Sequence, residues 1–98
     1  MKRDEVIAIL QQNESTLRAR GVTHAALFGS VARGDARPDS DVDIMIELDP
    51  SVPIGIFQYA GLKRYIADLF HGPVDVVNKE ALKRHLREPV TVDAVYAF

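Results

Sequence analysis

The chain has no cysteine, no strong excess of either charge and no long apolar run. Without cysteine there is no disulfide framework and no thiolate metal site. Twelve Lys+Arg against fourteen Asp+Glu leave a net charge of -2, so the balance gives no pull toward nucleic acid or a membrane surface. No apolar run approaches the roughly 20 residues that cross a bilayer. The opening Met1-Lys2-Arg3-Asp4-Glu5 is charged where a signal peptide would be apolar, and a cytoplasmic location is expected. Internal repeats, biased segments and long linkers are also missing. What remains is 98 residues, 47% hydrophobic and 27% charged, enough for one core and not for two. A single domain over 1–98 is expected. It leaves no room for a separate substrate domain, so a substrate must be held partly by a partner or left exposed.

Apolar positions Val6, Ile7, Leu10 and Leu17 fall near one face of a 3.6-residue period, predicting a first helix over 4–20 that Gly21 would close. Val22 to Phe28 reads as a short buried strand ending at Gly29-Ser30. Residues 31–40 read as a turn or a short helix followed by a loop. From Asp41 to Leu48 the chain alternates, with Val42, Ile44, Ile46 and Leu48 on one side and Asp41, Asp43, Met45 and Glu47 on the other. A second helix carries Leu62, Ile66, Leu69 and Phe70 and stops at Gly72-Pro73. Val74 to Val77 is a third strand, and Asn78 is placed to cap a helix bearing Leu82 and Leu86. Pro89 interrupts that helix, and the apolar tail 90–98 is expected to form a last helical turn or two. The order predicts an α/β (α+β two-layer) domain with a mixed sheet of about three strands packed by helices.

The stretch Gly29 to Asp43 carries the chemistry. Where a strand ends in Gly-Ser and a short helix begins, the backbone can approach a ligand closely, and free amides favour an anionic oxygen. Ser30 adds a hydroxyl there. Asp41 and Asp43 lie two apart on a strand, which puts both carboxylates on one face. Like charges that close repel unless a cation holds them ionised. Mg²⁺ suits them, because it prefers carboxylate oxygens and shares its other positions with phosphates and water. Asp75 adds a carboxylate from another strand. An acid inside a Val-rich strand is costly without a counter-charge. Three carboxylates beside a phosphate-cradling turn form the layout of two-metal phosphoryl or nucleotidyl transfer.

Gly29-Ser30, ten further residues, then Asp41-x-Asp43, with Arg33-Gly34 between and Ser40 before the first aspartate, resembles the signature of the minimal nucleotidyltransferases of the DNA polymerase β superfamily. The likeness runs nearly the whole chain and implies a polymerase β-like core. Chains of this size resemble the MNT antitoxins of HEPN–MNT toxin–antitoxin pairs. That resemblance implies an ATP-dependent protein adenylyltransferase that moves AMP onto a tyrosine of its HEPN ribonuclease toxin partner. It further implies Mg²⁺ on Asp41, Asp43 and Asp75, with Asp75 also placed to orient or deprotonate the acceptor hydroxyl. Gly29 and Ser30 would hold the triphosphate, and Arg33 would reach the same phosphates or form a surface ion pair.

Other residues read more plainly. His24, His71 and His85 have no metal-ligand spacing, and a structural role is expected for His24 and His71. Lys63-Arg64 and Lys83-Arg84 read as solvated helix faces. The tail with Tyr96 and Phe98 either completes the core or offers a partner-binding patch. Two further functions stay open. One is an antitoxin that works by binding alone, and the other is nucleotidyl transfer to RNA or to a small-molecule hydroxyl.

Overall fold

The computed structural model describes residues 2–34, 41–80 and 94–98. Its elements are α1 (Arg3–Gln12), α2 (Glu14–Ala19), β1 (Val22–Phe28), α3 (Gly29–Arg33), β2 (Val42–Leu48), α4 (Ile56–Asp68), β3 (Val74–Asn78) and β4 (Val95–Tyr96). The strands form one mixed sheet in the order β3-β2-β1-β4. β1 pairs antiparallel with β2 and β4, while β2 and β3 run parallel across the α4 crossover. No helix among the described residues is long and apolar enough to cross a membrane.

The expected first helix is two. Asn13 leaves helical geometry (φ -105°, ψ 11°), and its side-chain amide donates to the Ile9 carbonyl at 2.8 Å. Asparagine offers the backbone this competing bond, which is why it breaks helices. The break is held from outside, since the Tyr65 hydroxyl donates to Asn13 Oδ1 at 2.8 Å. Leu10 and Leu17 still reach the same core, each with no exposed surface. Gly21 ends the pair at φ +98°, the left-handed geometry a helix-terminating glycine supplies.

The sheet has four strands rather than three, and Val95–Tyr96, in the tail where helical turns were expected, form the fourth. β1 carries Ala25, Ala26 and Leu27 with no exposed surface, so it is buried on both faces and its outer edge needs a partner for its backbone. β4 supplies one, with Ala26 opposite Tyr96 and Leu27 opposite Val95, and the Ala97 amide donates to the Ala25 carbonyl at 2.8 Å. A short apolar run cannot be sorted into helix or strand by periodicity alone. The tail thereby completes the core: Val95 and Phe98 pack on it beside buried Ala97.

The main core lies between one sheet face and the helices, with Val6, Leu10, Leu17, Leu62 and Ile66 meeting Leu27, Val42, Ile44, Ile46 and Val76. The reverse face carries a smaller cluster of Ala26 and Met45, joined by Phe28, Val77 and Ala94. Beyond β3 the Glu80 amide donates to Asn78 Oδ1 at 3.0 Å, the contact expected of a capping asparagine. The helix expected on Leu82 and Leu86, the break at Pro89, Lys83-Arg84 and His85 lie outside the described residues, as do Asp35 to Ser40.

Candidate active site

β2 places its side chains alternately, so Asp43 shares the reverse face with Met45 and Glu47. Its neighbours across the sheet are set by register. Asp43 stands opposite Phe28 on β1 and opposite Asp75 on β3. Parallel strands lie about 4.8 Å apart, with in-register side chains on the same face. Two carboxylates from distant parts of the chain are thus brought side by side. The register is pinned just before the pair, where the Val42 amide donates to the Pro73 carbonyl at 3.0 Å.

Gly29 leaves β1 beside this pair. It takes φ +77°, and a Cβ placed on it would collide with the Asp43 carboxylate at Oδ2. Glycine is needed twice over at this corner, for the left-handed turn and for the close approach of the carboxylate. α3 follows at once and is anchored by buried Val31 and Ala32. Ser30 and Arg33 lie within it. Gly34 closes the turn at φ +80°.

Asp41 immediately precedes β2 and is exposed, Asp43 is half-buried and Asp75 is exposed. The burial cost expected for an acid in a Val-rich strand therefore does not arise at Asp75. That strand is solvent-accessible on the aspartate's side, and its position comes from register. Among the described residues no three acidic or histidine side chains are drawn into a ready-made metal cage. The Asp43–Asp75 pair still fits Mg²⁺, which is ordinarily held by one or two carboxylates, with phosphates and water completing its shell.

Tyr59, on α4, feels the site electrically. Burial pushes its hydroxyl pKa above 10, and the Asp75 charge adds to this against a hydrogen bond from the Asn78 backbone. Farther along the aspartate face, Glu47 accepts a hydrogen bond from the Tyr96 hydroxyl at 3.0 Å and pairs with Lys79 at 3.6 Å. Alternation puts Glu47 on the face of Asp43, but no sequence signal joins it to Lys79 and Tyr96. His24 meets Tyr96 edge-on, with ring centroids 6.0 Å apart, and its Nδ1 lies 3.2 Å from the Phe98 carbonyl, so its contacts are structural. Lys63 lies over the Tyr59 ring at 5.6 Å.

Residues 4–96 match the family described as nucleotidyltransferase domain. The protein adenylyltransferase MntA of Thermococcus cleftensis is 35% identical over 94 residues, which span 95% of this chain and 93% of that protein. A solved structure described as a minimal nucleotidyltransferase superposes with a TM-score of 0.76 at 32% identity, over 97% of this chain and 95% of its own. A chain in the solved complex of tri-AMPylated Shewanella oneidensis HEPN toxin with MNT antitoxin shares the fold at 17% identity. The TM-score there is 0.62, over 94% of this chain and 71% of that one.

Proposed function

The chain belongs to the nucleotidyltransferase domain family, and from that membership we propose that it is an antitoxin that moves AMP from ATP onto a tyrosine hydroxyl of a HEPN toxin. The observation that carries the reading is the pairing of Asp43 with Asp75 beside Gly29. It sets two hard anionic ligands next to a backbone corner that strongly favours glycine. The adenylyltransferase relative and the toxin–antitoxin complex support the donor and the partner class.

In this reading Asp41, Asp43 and Asp75 hold Mg²⁺. Bound there, the ion neutralises the triphosphate and lowers the pKa of the attacking hydroxyl. Gly29 leaves room for the phosphate chain at the end of β1, and Ser30 and Arg33, on the turn that follows, bind its oxygens. Asp75, exposed at the edge strand, orients the incoming tyrosine and accepts its proton. The tyrosine oxygen then bonds to the α-phosphorus as the bond to the bridging oxygen breaks and pyrophosphate leaves. The toxin brings its tyrosine to the exposed Asp75 edge and so completes the site.

The test is incubation with labelled ATP, Mg²⁺ and a HEPN toxin, taken as the product of the neighbouring gene. Label is expected on the toxin with the parent protein and not with Asp43→Asn. Full neutralisation by Asp41→Asn/Asp43→Asn would show an antitoxin that acts by binding alone. Label found only on RNA or on a small molecule would replace the acceptor.

A further inference from the structure

The catalytic corner sits where β1 ends and β2 begins, whereas α4 begins beyond the other end of β2. There the surface is unusual. The inner side of α4 is ordinary, with Leu62 and Ile66 buried. A surface helix should turn charged and polar residues outward, yet the exposed positions of its first half are Ile56, Phe57, Gln58, Ala60 and Gly61, with Gln58 the one polar side chain among them. Phe57 is 90% exposed and Ile56 79%, and nearby Val52 is 41% exposed. From Val52 to Gly61 there is no charged residue.

Beside this helix lies a groove of about 450 Å³ whose lining includes Ala19, Ile54, Phe57 and Gly61, with Arg20 and Gln58 as its polar members. Gly61 is the odd member. Glycine weakens a helix interior, and a Cβ added here would meet nothing within 4 Å. Neither the turn geometry nor the chain's own packing asks for it. A ring that stands out and a notch one turn farther on are the two halves of a contact that one surface can make with itself, as a two-fold interface requires.

We propose that this face of α4 is a homodimer interface, with two α4 helices antiparallel and Phe57 of each copy seated over the Ala60–Gly61 step of the other. The three exposed apolar side chains offer roughly 400 Å² per copy. A standard interface buries about 800 Å² per partner with somewhat over half of it apolar, so the patch supplies most of the apolar centre. The lack of charge from Val52 to Gly61 fits too, because the centre of such interfaces is depleted of charged residues, and Arg20 at the groove would lie on the rim. Pairing Phe57 with the other copy's Gly61 sets Arg64 across from residue 54 of that copy, so the cations do not meet their equivalents. Both catalytic corners stay free, at the far ends of the pair.

Sedimentation equilibrium of the full chain tests this. A concentration-dependent dimer is expected, and Phe57→Asp, an exposed change that spares the core, should raise its dissociation constant more than about tenfold. Gly61→Leu enters open space within its own copy and should also weaken the dimer while circular dichroism stays unchanged. A chain that stays monomeric at its highest soluble concentration would overturn the proposal, as would a dimer indifferent to both substitutions. A monomer that loses toxin capture on Phe57→Asp would also overturn it and assign the patch to the toxin.

Discussion

The carboxylate of Asp43 lies where a side chain on Gly29 would have to begin. One corner of backbone therefore sets both the turn after β1 and the attitude of an acid on β2. Gly29→Ala should cost about 1–2 kcal/mol for the left-handed conformation alone, and it should push Asp43 out of place. Thermal melts and labelled transfer should show a lower Tm and a larger relative loss of transfer. Unchanged activity would mean that the carboxylate does not need this position.

Asp75 is exposed, so Asp75→Asn keeps the shape and removes the charge. The melting temperature should hold while transfer falls by about 10²-fold or more, the range lost with a positioned proton acceptor. Single-turnover rates with toxin and ATP would read this directly. A rate near that of the parent would remove Asp75 from the chemistry.

Tyr65→Phe deletes the hydroxyl that holds Asn13 at the break between α1 and α2. A net loss of about 1 kcal/mol is expected, the usual worth of one such hydrogen bond. Urea unfolding measures it. Nucleotide transfer should be unaffected, because the break lies on the helical side of the sheet.

Folding raises the Tyr59 pKa above its ordinary 10, chiefly through burial. The folded state then holds the proton more tightly than the unfolded one. This share of stability is complete below pH 10 and is lost as pH climbs through the raised value. Lys79 is raised as well, first by its bond to Tyr96, so its share falls in the same alkaline range. Denaturant midpoints at neutral pH and above pH 10 should therefore diverge. They should diverge less in Tyr59→Phe, and an equal loss in that variant would mean that Tyr59 is not the source.

Much of the fold was legible because its signals are local. The alternation from Val42 to Leu48, the glycine stop at Gly21 and the Gly72-Pro73 break each appear in the structure close to where the pattern put them. The misses came from groups that act across the chain. Asn13 breaks a helix with help from Tyr65, 52 residues away, and Val95–Tyr96 form a strand because β1 offers an open edge. At the site, Gly29, Asp43 and Asp75 were legible as residue types in a pattern. Their side-by-side arrangement depends on register between two strands, which no local pattern encodes.

The α4 crossover also fixes a phase. In a strand, one added residue turns every later side chain to the opposite face. The Val42–Pro73 hydrogen bond shows where the return leg locks onto β2. A one-residue insertion between His71 and Val74 would leave helix and strand intact yet rotate Asp75 toward the helices and bring Val74 round to face Asp43. Length changes in this short return should therefore be far less tolerated than changes on the outer surface of α4, where recognition can drift while the chemistry stays in step.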